Sequence, residues 1–216
     1  MTFVSTAAKV ILTGLLFLLP GIFPSAAQAG PISTSDLAFP TDESLKYPFT
    51  KDDSLRCGRW EADHQDYPYF GAPRNRNSRK HTGIDIYPVG GEGTPVKAIK
   101  DGLVIKVAPF FIRSNGEKTY SVLIDHGDFV ANYAELKKPP IKVGQRIRQG
   151  VCIGSISGTG QLHLELYEAG TSDSMRWYGE RPRHLLDPTS VMMAVLSGDR
   201  KAMGADARDD AAIDLQ

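Results

Sequence analysis

The sequence is short of sulfur, carries no net charge and has only one long apolar run. Two cysteines, Cys57 and Cys152, are too few for a disulfide scaffold. A chain of 216 residues with 41% hydrophobic content can bury a core without one. The pair suits either one bridge in an oxidising compartment or two separate buried thiols. Lys and Arg together number 25, as do Asp and Glu, so there is no global pull towards nucleic acid or an anionic membrane. Only local patches such as Arg74 to Lys80 remain, and no nucleic-acid partner is expected. Between Cys57 and Gly170 no convincing 3.6-residue stripe occurs, which leaves helix scarce in the body of the chain.

The apolar run from Val10 to Phe23 follows Lys9 and precedes Ala27-Gln28-Ala29. A basic start, an apolar centre and small residues before a cleavage point describe a signal peptide over residues 1–29, with the mature chain starting at Gly30. Pro20, Gly21 and Pro24 shorten the run below the roughly 20 residues that cross a bilayer. No cysteine stands where a lipoprotein is acylated. The expectation is export across the inner membrane to the periplasm, with no stable membrane span after cleavage.

Residues 30–56 mix Pro, Ser, Thr and Asp without periodicity and read as an extended lead-in. From Cys57 onward, short β-type runs alternate with Gly, Pro and Asn, among them His81 to Tyr87, Gly102 to Ala108, Tyr120 to Asp125, Phe129 to Leu136 and Gln161 to Tyr167. That pattern predicts a mainly β, antiparallel domain over residues 57–196. Asp187 to Leu196, with Pro188 at its first turn, predicts one short helix. Residues 197–216 are small and charged and read as a disordered tail.

Strand alternation picks out the candidate chemistry. His81 and Asp85 in KHTGIDIY lie four apart and share a face, with Gly83 leaving space between them. In QLHLELY, Gln161, His163 and Glu165 share one face and Leu162, Leu164 and Leu166 the other, so the leucines read as core. In VANYAEL the same arithmetic aims Tyr133 and Glu135 together. Two imidazoles and a carboxylate suit a three-ligand zinc site with a fourth position open, although such residues also occur as ordinary hydrogen-bonded structure. His126 at a Gly-containing turn reads as turn structure, His184 lies beyond the core pattern, and His64 has no pattern support.

The ordered words FGAPRNRNSRKHTGIDIY, GTPVKAIKDGLV, VLIDHG, NYAEL, VGQRIRQGVCIG and LHLELY, from Phe70 to Tyr167, resemble the core domain of the M23 zinc metallopeptidases of the lysostaphin or LytM type. The resemblance implies an antiparallel β-sheet domain with an open groove. It also implies Zn2+ bound by His81, Asp85 and His163, and peptidoglycan as the substrate. Arg74 matches a recurrent arginine and is expected to line the groove or bind a peptide carboxylate; Tyr133 is a candidate oxyanion donor, and Glu165 a partner of a ligand imidazole. Two positions depart from the family pattern: Glu135 stands where YxH has its histidine, and Gln161 where HxH has its first. Three readings follow for Glu135: a general base and acid with Gln161 orienting substrate, a fourth ligand closing a structural site, or part of a site that holds no metal. The second makes the protein a binding module that regulates another cell-wall hydrolase.

Overall fold

In the computed structural model, residues 32–51 and 67–198 are described. The signal peptide, Cys57, His64 and most of the C-terminal tail lie outside them. Twelve strands form in chain order: β1 (Leu45–Tyr47), β2 (Pro73–Arg74), β3 (Arg79–Lys80), β4 (Ile84–Pro88), β5 (Pro95–Lys97), β6 (Gly102–Ile112), β7 (Lys118–Asp125), β8 (Phe129–Leu136), β9 (Arg146–Ile147), β10 (Cys152–Ser155), β11 (Leu162–Glu168) and β12 (Leu185–Leu186). Eight of them make one sheet in the order β1-β4-β11-β8-β7-β6-β9, with β12 added to β11. All the pairings are antiparallel. Among the described residues a helix, α1, runs over 189–198, two residues later than the sequence pattern places it, because Pro188 precedes the first turn and its carbonyl accepts the Met192 N–H there.

Strand β11 is central, and its alternation does what the sequence predicted. Leu162, Leu164 and Leu166 face the main core with Ile84 and Ile86 of β4 and Ala131 and Tyr133 of β8. Met192 and Val195 of α1 join the same cluster. On the opposite face His163 pairs in register with Asp85 on one side and Ala134 on the other. Beyond the polar residues that face carries a small second cluster, Leu123, Val130, Tyr167 and Leu185. The sheet is therefore dry on one side and part polar, part apolar on the other, which gives β8 and β11 their continuous burial.

The supposed lead-in is part of the domain. Leu37, Phe39 and Phe49 are buried in the main core, and β1 pairs with β4. The backbone there is tied down as well: Ala38 N–H donates to Ile99 O at 2.9 Å, and Lys97 N–H to Pro40 O at 2.9 Å. The boundary at residue 57 is thus corrected. Single apolar residues spaced along a Pro- and Asp-rich stretch have no period to read, yet each fills a place in the core.

Cys152 is exposed and free, with its thiol directed at Gly154 O, and is therefore not one of two buried thiols.

Candidate metal centre and groove

Three side chains from two neighbouring elements converge. Asp85 sits on β4 and His163 opposite it on β11; His81 lies just before β4, where its N–H donates to Ala72 O at 2.8 Å. Gly83 is what lets this segment press on β11, since a Cβ there would lie 2.2 Å from Leu164 O. The space seen in the sequence is filled by backbone, and no other residue type fits it.

The inward atoms are His81 Nε2, His163 Nδ1 and Asp85 Oδ1. They stand 3.0 Å (His81 to His163), 3.1 Å (His81 to Asp85) and 2.9 Å (His163 to Asp85) apart. All three residues are buried. The remaining ring nitrogens settle the tautomers: His81 Nδ1 meets Tyr69 O at 2.9 Å, and a carbonyl can only accept. His163 Nε2 meets Glu165 Oε1 at 3.0 Å, and that carboxylate also accepts. Both rings therefore spend an N–H outward and turn their other nitrogen inward.

The residues fit a divalent ion such as zinc. Bonds of about 2.0–2.1 Å to N and O ligands in a tetrahedron need ligand atoms roughly 3.3 Å apart, close to the spacing found. A His, Asp and His donor set is also the kind zinc takes. The electrostatics point the same way. Burial pushes the His81 pKa down, while for His163 burial is outweighed by hydrogen bonds to Asp85 and Glu165, which hold it up to about 10. Asp85 is buried too, yet the two imidazoles keep its carboxyl far below the usual range. The cluster draws positive charge to its centre.

Outer contacts hold these groups in place. Arg74 Nη2 donates to Asp85 Oδ2 at 2.9 Å, leaving Oδ1 to face inward. Arg74 lines the groove as expected, and its guanidinium also supports Asp85, a candidate ligand. Glu165 receives Asn132 Nδ2 at 2.6 Å and Tyr167 Oη at 2.8 Å, together with the Thr82 hydroxyl. Burial raises its pKa, but the bond from His163 and the others bring it down to about 2. Phe110 of β6 stacks on the His163 ring with centroids 5.7 Å apart, a contact the sequence had no signal for.

Glu135 reaches this side of the sheet by a bulge. Tyr133 pairs with Val122 and Leu136 with Tyr120, so Ala134 and Glu135 oppose the single residue Ser121. Glu135 takes φ 66°, a left-handed backbone unusual for a residue with a side chain. That turn breaks the alternation that put Tyr133 and Glu135 on one face. Tyr133 points into the core, where its hydroxyl accepts Ile99 N–H at 3.0 Å and stands 3.2 Å from His126 Nε2, and its expected contact with substrate is withdrawn. Glu135 instead lines a groove of about 670 Å³ together with the three inward residues, Gln161 and Arg74.

Gln161 Nε2 donates to Glu135 Oε1 at 3.0 Å. Burial, then repulsion from Asp85, lifts the Glu135 pKa to about 7. Glu135 does not join His81, Asp85 and His163, the group that could hold a metal ion, whose candidate ligand atoms lie within 4.8 Å of one another. His184 is bound to Glu168 at 2.8 Å, and His126 to Asp101 O at 2.9 Å and to Tyr133; neither lines the groove.

Residues 79–174 match the model of peptidase family M23. Among curated proteins, the chain is 33% identical over 105 residues to peptidoglycan DD-endopeptidase ShyC of Vibrio cholerae, covering 45% of this chain and 22% of that protein. It is 31% identical over 94 residues to glycyl-glycine endopeptidase ALE-1 of Staphylococcus capitis, covering 44% and 25%. The match thus spans about a quarter of the length of these relatives. Among solved structures, the catalytic domain of lysostaphin from Staphylococcus simulans is 23% identical with a TM-score of 0.40, covering 57% of this chain and 88% of that one.

Proposed function

On the match of residues 79–174 to peptidase family M23, we propose that the chain is an exported zinc metallopeptidase hydrolysing peptide bonds of bacterial peptidoglycan. The observation that carries the reading is the convergence of His81 Nε2, His163 Nδ1 and Asp85 Oδ1 beside a buried carboxylate that stays apart from them. Zinc held by that trio supplies a Lewis acid for the scissile carbonyl and for an attacking water.

Glu135 is the general base and then the general acid: it takes a proton from water and passes it to the leaving amine. Before an ion binds, burial and then repulsion from Asp85 lift its carboxyl to about 7; a cation at the trio would draw it down towards the ionised form that a base needs. Gln161 donates to Glu135 Oε1 and so fixes which oxygen carries the proton. Its expected role as a substrate contact becomes the positioning of Glu135. Arg74 holds Asp85, and Glu165 holds the His163 tautomer. Against a closed structural site, and with it a silent regulatory module, stands the separation of Glu135 from the ligand group. Among the described residues no helix is long and apolar enough to cross a membrane.

The test is zinc-loaded mature protein incubated with purified sacculi, products resolved by mass. New peptide ends are expected. No release, together with stimulation of a partner amidase, would contradict the enzyme reading and support the regulatory one.

A further inference from the structure

Resting on the reading of Glu135 as the catalytic carboxyl, we propose that Glu117 is its positioning residue: from the end of the β6–β7 hairpin it fastens the turn 157–160, and that turn holds Glu135 at the groove. Glu135 needs such a hold. It sits at a bulge with φ 66°, outside the regular ladder between β7 and β8, and a left-handed residue with a side chain persists only where its surroundings over-determine it.

The turn supplies those surroundings. Ser157 N–H donates to Glu135 O at 2.9 Å, and Gly160 N–H closes the turn on Ser157 O at 3.1 Å. Gln161, the next residue, donates to Glu135 Oε1 at 3.0 Å. Burial and repulsion from Asp85 oppose the ionised carboxyl, and the side chains of Thr159 and Gln161 favour it. Thr159 is steadied in turn by Ser157 Oγ, 3.1 Å from its hydroxyl. Glu135, Thr159 and Gln161 all line the groove. Backbone and side chain of Glu135 thus both depend on where the turn lies.

Glu117 pins that turn from outside. Its Oε1 accepts Gly158 N–H at 3.0 Å, and its Oε2 takes the Arg113 guanidinium. Gly158 N–H first, and Arg113 next, hold the Glu117 carboxyl below its usual range. The hairpin end is itself well fixed: Arg113 N–H donates to Glu117 O and Gly116 N–H to Arg113 O, both at 2.9 Å, and Asn115 Oδ1 accepts Glu117 N–H at 3.0 Å. The approach leaves no room for a side chain at position 158 unless Glu117 moves, since a Cβ there would lie 2.6 Å from Glu117 Oε2; the Gly158 backbone is not left-handed. Glu117 does not line the groove, so it acts through the turn and not on substrate. The same hairpin lays Phe110 on His163, and one element therefore braces both a ligand ring and the carboxyl beside it.

The experiment compares the zinc-loaded mature wild type with Glu117→Ala, Glu117→Gln and Gly158→Ala, after circular dichroism and metal content establish that each is folded and loaded. Initial rates over a range of sacculus concentrations separate kcat from the half-saturating amount, and hydrogen exchange of the Ser157 amide reads the turn without substrate. Glu117→Ala removes the acceptor of Gly158 N–H, and Gly158→Ala displaces Glu117. Both are expected to lower kcat about tenfold with half-saturation unchanged, and to speed Ser157 exchange about tenfold. Glu117→Gln keeps an oxygen for Gly158 N–H and loses only a partly exposed ion pair, so kcat and exchange should both stay within about twofold of wild type. Wild-type kcat in Glu117→Ala and Gly158→Ala, or a loss in Glu117→Gln equal to that in Glu117→Ala, would overturn the proposal. If the wild type itself releases nothing, the peptidase reading fails and exchange alone decides: faster Ser157 exchange in Glu117→Ala but not in Glu117→Gln upholds the hold on Glu135, and equal exchange overturns it. Should Glu117→Ala not fold, Gly158→Ala takes its place in each comparison.

Discussion

His81 Nε2 and His163 Nδ1 face each other across 3.0 Å, each ring having given its other nitrogen to an outward acceptor, Tyr69 O or Glu165. Against burial, the bonds to Asp85 and Glu165 hold the His163 pKa up to about 10, so in the metal-free protein a proton on Nδ1 lies between the rings, a place for positive charge that only the folded chain offers. Adding zinc should therefore stabilise the fold. At a free concentration 1,000 times the dissociation constant the gain is about 4 kcal/mol, a rise in Tm on the order of 10 °C for a chain of this size. Calorimetry with and without zinc checks it. His163→Ala should remove the shift, and an equal shift in that variant would place the ion elsewhere.

Glu165 sets the tautomer of His163 and gathers three further donors. Glu165→Gln puts an amide N–H2 among groups that all donate to the present carboxylate. Zinc affinity should fall about 10–100-fold in a competition titration against a chromophoric chelator. Unchanged affinity would reduce Glu165 to packing.

Tyr133 offers its hydroxyl to Ile99 N–H and His126, on the core side of the sheet. Tyr133→Phe leaves a buried donor without its partner, a loss of about 1–3 kcal/mol visible in urea unfolding, while turnover per folded molecule should stay at the wild-type level. Lost turnover with intact stability would return Tyr133 to the groove.

His126 makes stability depend on pH. Its Nδ1–H donates to Asp101 O, and its Nε2 accepts from the Tyr133 hydroxyl, an arrangement that requires the neutral ring. Burial lowers its pKa, so on acidification the unfolded chain takes up a proton before the native one does. The stabilisation is present above roughly pH 6.5, the ordinary histidine value, and is lost as pH falls towards the folded value. In metal-free protein, Tm measured from pH 7.5 to 5 should fall more steeply for the wild type than for His126→Gln. Parallel curves would contradict this.

The site was legible where the chain is regular. From Gln161 to Tyr167 strict alternation holds, so the sequence alone assigns the leucines to the core and His163 and Glu165 to the polar face. His81 and Asp85 were legible as a pair four residues apart. Glu135 was read on the right side of the sheet but with the wrong companion, because a bulge with one left-handed residue has no sequence period. Arg74 lines the groove as its motif implies, but its bond to Asp85 is not legible, because the partner is eleven residues on and is brought near by a hairpin of two-residue strands. Leu37, Phe39 and Phe49 were missed because core residues supplied singly by an irregular segment leave no stripe. Phe110 over His163 depends on how the β6–β7 hairpin leans, which strand propensity does not encode.

The most direct test of the account is Glu135→Gln, assayed for bound zinc and for muropeptide release from sacculi on the same preparation. Zinc near one per chain with turnover abolished is the predicted result. Full activity would remove Glu135 from the chemistry, and loss of the metal would make it a ligand, either of which contradicts the role given to it here.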